Sequence, residues 1–262
     1  MERLKRIRRQ RQVARHDDRK AAIEQIYLSG IRKALAHAQL QMLHKFHAGT
    51  GKTVFLNDAQ FSNADPVAVD FMFDLDDFAE MFFAEMREAG ESALEISGQG
   101  LLSELGIDRK YVTPHGLMRD FTVERQNKLS QVPQEIWDTV KSSVEDGIRG
   151  GMSADQMADQ VVNDTFGQIQ KGRAVTVART ETSSVYNTGR MDAMRQHGIT
   201  HKSWLTADDE RVRHEHSNAE AQGPIPIDQK FSNGLRYPGD PNGSAAQVIN
   251  CRCTVEAREE PQ

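Results

Sequence analysis

The feature that most constrains this chain is the place where its helical periodicity ends. From residue 133 to residue 197 apolar side chains recur every three or four positions, the spacing that lines one face of an α-helix; beyond Gly198 that spacing is gone. Pro133 suits the first turn of a helix. Ile136, Val140, Val144 and Ile148 then stripe one face, and Gly150–Gly151 close it. Ser153 followed by Gln156 has the spacing of a capping box, with Met152 and Met157 placed as a hydrophobic staple. A further helix is expected over about 170–197. After Gly198, short segments around Trp204, Val212, Phe231, Tyr237 and Val248–Ile249 alternate with Gly, Pro, Asn and Asp clusters, the pattern of small strands and long turns. The expected fold class is mainly α with a C-terminal α+β domain: long N-terminal helices, then helices covered by short strands and long turns.

The N-terminal half is organised by charge. Residues 1–20 hold nine Lys/Arg against three Asp/Glu, while residues 70–88 hold seven Asp/Glu against Arg87 alone. The first run reads either as a solvated helix or tail, or as a basic arm whose Arg6, Arg8, Arg9 and Arg11 touch DNA or an acidic partner. Ile23, Tyr27, Ile31, Ala34, Ala38 and Met42 predict an amphipathic helix over 21–47, with His44 and His47 near its end. AGTGKT at 48–53 mimics a phosphate-binding loop, but Phe46 stands where the loop needs its first glycine and a helix, not a strand, precedes it, so nucleotide binding is rejected. Residues 50–66 read as a linker or small hairpin. A helix over 67–89 carries Phe71, Leu75, Phe78, Phe82 and Met86 on one stripe, widened by Met72, Ala79 and Phe83, for burial in a core or against a partner subunit. Gly90, Gly98 and Gly100 are expected to break up the next segment, and 117–130 to be helical. The resulting division is a basic arm and long helix (1–66), a helical middle (67–130), a C-terminal domain (131–257) and a tail (258–262).

Composition removes several classes. A chain of 262 residues with net charge −5 is large enough for a real core and does not announce a nucleic-acid binder. Its two cysteines, Cys251 and Cys253, lie too close together for an unstrained disulfide, which excludes a secreted disulfide scaffold. No apolar run approaches the roughly 20 residues of a membrane span, and the basic N-terminus lacks a signal peptide's apolar core. A soluble protein made in a cytoplasm is expected.

Three groups of residues could carry chemistry. Glu181 falls on the same helical stripe as Ala174, Ala178, Val185 and Gly189, where a buried carboxylate needs a partner: an arginine, with Arg179, Arg213 and Arg252 the candidates, or backbone amides of the C-terminal region. His214 and His216 are two residues apart, as are Cys251 and Cys253; in extended segments each pair faces one side, and together they would offer zinc four nitrogen and sulfur donors. Structural zinc is the one cofactor this pattern suggests. Against it, the spacing matches no common zinc finger, and the cysteines would serve as small buried hydrophobes with the histidines bonded to loops. A Cys–His nucleophile pair, or a metal-dependent hydrolase or nuclease using Asp208, Asp209, His214 and His216, is the enzymatic alternative. The turn-rich stretch 223–244 is expected to fold over the helices.

These pieces stand in a telling order. GMSADQMADQ, RAVTVARTETSSVYNTGR, Gly198–Ile199, Trp204, TADDERVRHEH, the Phe231 region, YPGDP and INCRC together resemble the phage Mu F-like head morphogenesis family over about residues 131–257. The matching positions include Arg179, Glu181, Asn187, Trp204, Asp208, Arg213 and Arg252, as well as Arg190, His216, Gly239, Cys251 and Cys253. No catalytic assignment comes with them, and none is made. The resemblance implies a non-enzymatic minor head protein of a tailed phage, inside the virion head near the portal and in the host cytoplasm during assembly. Its partners would be the portal protein, the major capsid or scaffolding protein and packaged double-stranded DNA, with no membrane involved. Its role would be head assembly and DNA packaging or ejection.

Overall fold

A computed structural model describes residues 2–50 and 74–259. Most of the Gly-Lys-Thr decoy, the 51–66 linker, and Phe71 and Met72 of the acidic stripe lie outside the described residues. The chain is mainly helical with a small antiparallel sheet near the C-terminus, as the loss of periodicity after Gly198 predicts. Its helices are α1 (Glu2–Thr50), α2 (Leu75–Glu104), α3 (His115–Leu129), α4 (Val132–Arg149), α5 (Ala154–Asp159), α6 (Phe166–Ile169), α7 (Val175–Gln196), α8 (His214–Ala221) and α9 (Ala245–Val248). Two π-helical stretches, Gln160–Thr165 and Gln170–Ala174, join α5, α6 and α7. Strands β1 (His201–Leu205), β2 (Ile225–Pro226) and β3 (Thr254–Arg258) pair in the order β2-β1-β3, with Trp204 opposite Val255.

Two compact units divide the chain, each assembled from discontinuous stretches. One comprises Leu28–Met86 and Gln126–Val175. Its core takes Ile31, Leu35 and Met42 from α1, Phe78 and Phe82 from α2, Val140 and Val144 from α4, and Phe166 from α6, all buried. Of the described stripe, Phe78, Phe82 and Met86 are therefore core, while Leu75, Ala79 and Phe83 are half-buried. The capping box forms as the sequence indicates: the Gln156 amide donates to Ser153 Oγ at 3.3 Å and the Ser153 amide to Gln156 Oε1 at 2.9 Å. Gly151, at φ 68°, takes the left-handed turn that ends the preceding helix.

The other unit comprises Met1–Tyr27, Arg87–Arg125 and Thr176–Gln262. Here the glycines expected to interrupt the chain after residue 89 lie inside α2, which runs on to Glu104. They are places of close approach. A Cβ on Gly98 would stand 2.4 Å from the Tyr111 ring, and one on Gly90 would stand 3.1 Å from Phe121. Gly189 of α7 has the same role, since its Cβ would lie 2.8 Å from the Leu94 carbonyl oxygen of α2. Two apolar clusters fill the unit. Leu101, Leu102, Tyr111, Met191, Met194, Tyr237 and Val255 belong to one. Trp204, Ala219, Ile225, Phe231, Leu235, Cys251 and Cys253 form the other.

Candidate functional site

α7 is buried nearly all round although its sequence is polar: Glu181, Thr182, Ser183, Ser184, Asn187, Thr188 and Arg190 are all inside. Small side chains let neighbouring backbone come close; Asn187, Thr188 and Arg190 are hydrogen-bonded there, while the Thr182, Ser183 and Ser184 hydroxyls have no hydrogen-bond partner among the described residues. The YPGDP turn shows how close: a Cβ on Gly239, which has φ 74°, would lie 2.9 Å from the Ser184 amide nitrogen. The turn is held by Asp240, whose carboxylate receives Arg236 Nε at 2.9 Å, Arg236 Nη2 at 2.8 Å and the Asn242 amide at 3.0 Å.

The outer edge of β3 is covered by side chains where another strand could pair. Asn187 Oδ1 accepts from the Val255 amide at 2.7 Å and its Nδ2 donates to the Cys253 carbonyl at 3.2 Å. Arg190 Nε donates to the Val255 carbonyl at 2.9 Å. Lys20 of α1 spends its three protons on the Arg252 carbonyl (2.6 Å), the Cys253 carbonyl (2.8 Å) and Thr254 Oγ1 (2.7 Å). Burial pushes the Lys20 ammonium down to about 8, against the pull of the neighbouring cysteines. Beside it, His16 Nε2 donates to Glu256 Oε1 at 2.8 Å, and Nδ1 faces Tyr186 Oη at 2.8 Å. Burial lowers the His16 pKa despite Glu256, so the ring is neutral and its Nδ1 accepts the tyrosine proton. Burial opposes ionisation of Glu256, yet the His16 bond and the charges of Arg258 and Arg190 hold its carboxyl below the ordinary range.

Glu181 is buried, as its place on the stripe requires, but its partner is a different arginine. Arg125 Nη1 lies 3.3 Å from Glu181 Oε1. The three candidate partners are engaged elsewhere: Arg179 with Glu24 at 3.3 Å, Arg213 with the Ile249 carbonyl at 2.6 Å, and Arg252 with Asp209 at 2.8 Å. Burial raises the Glu181 pKa and Arg125 opposes the rise. The basic run is not a detached arm, since it forms the first turns of α1. Arg6, Arg8 and Arg11 are exposed, but Arg9 turns inward to Glu220 at 2.9 Å, Thr206 Oγ1 at 3.1 Å and Asp208 at 3.4 Å.

Of the four residues offered as metal ligands the structure gathers three. His216, Cys251 and Cys253 are buried, with ligand atoms all within 4.8 Å of one another, the one such group among the described residues. Asn250 at φ 55° turns the chain, and the Cys251 and Cys253 sulfurs then both face His216 Nδ1. His214 does not join them, because residues 214–221 are helical and not extended. Two residues along a helix turn about 200°, so His216 faces inward with Ala219 while His214 is exposed, its Nδ1 3.3 Å from Asn218 Nδ2. Hydrogen bonding to Cys253 and the nearness of His216 pull the Cys251 thiol well below the usual range, while the Cys253 thiol is pushed up. Nor are Asp208, Asp209, His214 and His216 assembled into a cleft. Each aspartate is held by an arginine, and the histidines face opposite ways.

Lys202 of β1 is a further buried cation, fully covered, donating to the Arg236 carbonyl at 2.8 Å above the Phe231 ring. Burial, with Arg195 and Arg236 nearby, pushes it down to about 8, and Asp228 and Asp240 oppose this. A folded-state value below the unfolded one of about 10.5 means the unfolded chain holds more protons between about pH 8 and pH 10.5, so stability from this group rises with pH there. Between about pH 7.5 and pH 9.5 the wild type should gain up to about 2 kcal/mol on Lys202→Met, read as converging or crossing denaturation midpoints. A constant difference between the two proteins would contradict it.

A helical scaffold whose polar residues close inward on a small C-terminal sheet is the kind of protein these features define. Residues 138–256, in the C-terminal half of the chain, match the family described as Phage Mu protein F like protein. No curated protein and no solved structure matches the chain.

Proposed function

We propose that this chain is a non-enzymatic minor head protein that seats against the portal and the capsid interior of a tailed phage and supports DNA packaging or ejection. The family match over residues 138–256 carries the reading. The inward-closed polar groups fit it, because a scaffold needs them to hold its layers and a nuclease would need them facing a cleft. Portal and major capsid or scaffolding protein are its partners, and the inside of the head near the portal is its place in the virion. Among the described residues no helix is long and apolar enough to cross a membrane. Arg6, Arg8 and Arg11 are among the exposed cations of α1 available to packaged double-stranded DNA or an acidic partner surface.

Mass spectrometry of purified virions tests the placement: peptides of this chain should appear at copy numbers far below the major capsid protein, and their absence would sink the reading. For the DNA contact, binding to duplex DNA at low salt should weaken linearly in log–log with salt, and Arg6→Glu, Arg8→Glu and Arg11→Glu together should reduce the slope by up to about 3. Binding that is indifferent to those substitutions would remove the DNA role of α1. Metal-dependent turnover of nucleic acid that vanishes in His214→Ala with the fold intact would favour the hydrolase reading.

A further inference from the structure

The pair of thiols and the imidazole enclosed between α8 and the segment before β3 have no role in the head-protein reading. We infer that His216 Nδ1 and the thiolates of Cys251 and Cys253 hold one zinc ion, with a fourth ligand from solvent, and that this ion staples α8 to residues 250–253. The inference does not rest on the proposed function.

Geometry is the first support. A tetrahedral zinc with Zn–S of about 2.3 Å and Zn–N of about 2.0–2.1 Å sets sulfur and nitrogen about 3.6 Å apart. His216 Nδ1 stands 3.8 Å from Cys251 Sγ and 3.5 Å from Cys253 Sγ. Both nitrogen–sulfur separations thus match edges of such a tetrahedron, and all three ligand atoms lie within 4.8 Å of one another.

Chemistry is the second. A buried histidine kept for hydrogen bonding alone holds nitrogen or oxygen partners. His216 is 1% exposed, its Nδ1 faces only the two sulfurs, and its Nε2 has no hydrogen-bond partner. Thiolate and imidazole form a donor set suited to zinc and ill suited to magnesium or calcium. Two thiolates and a neutral imidazole cancel the charge of the ion, which lets it sit in an apolar cluster with Trp204 and Phe231. Lys20, donating to the Cys253 carbonyl, adds a positive charge that favours thiolate over thiol. All three protein ligands are buried, so binding of the ion is expected to add to the stability of the fold.

The test uses the full chain, purified without a histidine tag. Elemental analysis should find about one equivalent of zinc. Exchange into cobalt(II) should give thiolate-to-cobalt absorption in the near ultraviolet and the visible bands of a tetrahedral ion, a readout needing no variant. Cys253→Ser should lose the metal, whereas His214→Ala should keep it. A strong chelator should lower the wild-type melting temperature and leave that of Cys253→Ser unmoved. A folded wild type that takes up well under one equivalent after incubation with zinc overturns the inference. Full retention of zinc by the Cys251→Ser, Cys253→Ser double variant does so too.

Discussion

Replacing Arg125 by alanine is expected to cost the folded state about 3–5 kcal/mol, read as a lowered denaturant midpoint at unchanged slope. Among the described residues the Arg125 guanidinium is the one cation paired with Glu181, a carboxylate that is 2% exposed. Without it Glu181 must either stay ionised in a nonpolar surround or take up a proton. Burial already raises its pKa, and Tyr27 is its remaining titratable neighbour. In the variant the folded-state pKa rises further above the unfolded value, so the folded chain binds the extra proton and the penalty grows as pH increases through that window. The loss should be larger at about pH 8 than at about pH 5. Removing both charges together, as Arg125→Met with Glu181→Met, should restore most of the stability, because the desolvation of two ions disappears with their attraction. A single-variant cost under about 1 kcal/mol would show that the pair is not holding the carboxylate inside.

Lys20→Met should be nearly as damaging, at about 2–4 kcal/mol. Methionine keeps the stem and removes the ammonium, leaving the Arg252 carbonyl and Thr254 Oγ1 without their bonds from Lys20 and the Cys253 carbonyl with only the longer one from Asn187. Each unmet buried acceptor costs about 1–3 kcal/mol, and release from the cost of burying a cation returns part of the sum. Amide hydrogen exchange would locate the effect: β3 should lose protection. Unchanged exchange at Val255 and Ala257 would mean that Asn187 and Arg190 hold the strand by themselves.

Both residues show where the sequence was legible and where it was not. The stripe Ile23, Tyr27, Ile31, Ala34, Ala38 and Met42 fixed the inner face of α1, and all six are buried. Run backwards at the same spacing it reaches Lys20 and His16, which are buried as well. Treating residues 1–20 as one basic block obscured that continuity. Ser153–Gln156, Pro133 and Gly151 were readable because caps and helix ends are local chemistry. Glu181 could be marked as buried from its own helix, but its partner Arg125 stands 56 positions away, and no local rule selects it. His214 was misplaced for a related reason. Eight residues with no amphipathic stripe give no periodicity to distinguish helix from strand, and that choice decides which of two neighbouring histidines faces the cysteines. The discontinuous make-up of the two units has no local signature either.

The bonds from Lys20 to residues 252–254, and from His16 to Glu256, join stretches of chain separated by more than 230 positions. At about 5–20 residues per second a ribosome needs on the order of ten seconds or more to deliver the second stretch after the first. During that interval a nascent α1 presents a lysine and a histidine with no strand to receive them. Maturation of this unit is thereby tied to synthesis of residues 252–256, and fragments ending before residue 252 are expected to be cleared by proteases or held by chaperones. Only chains read through to β3 can then present the finished fold to their neighbours.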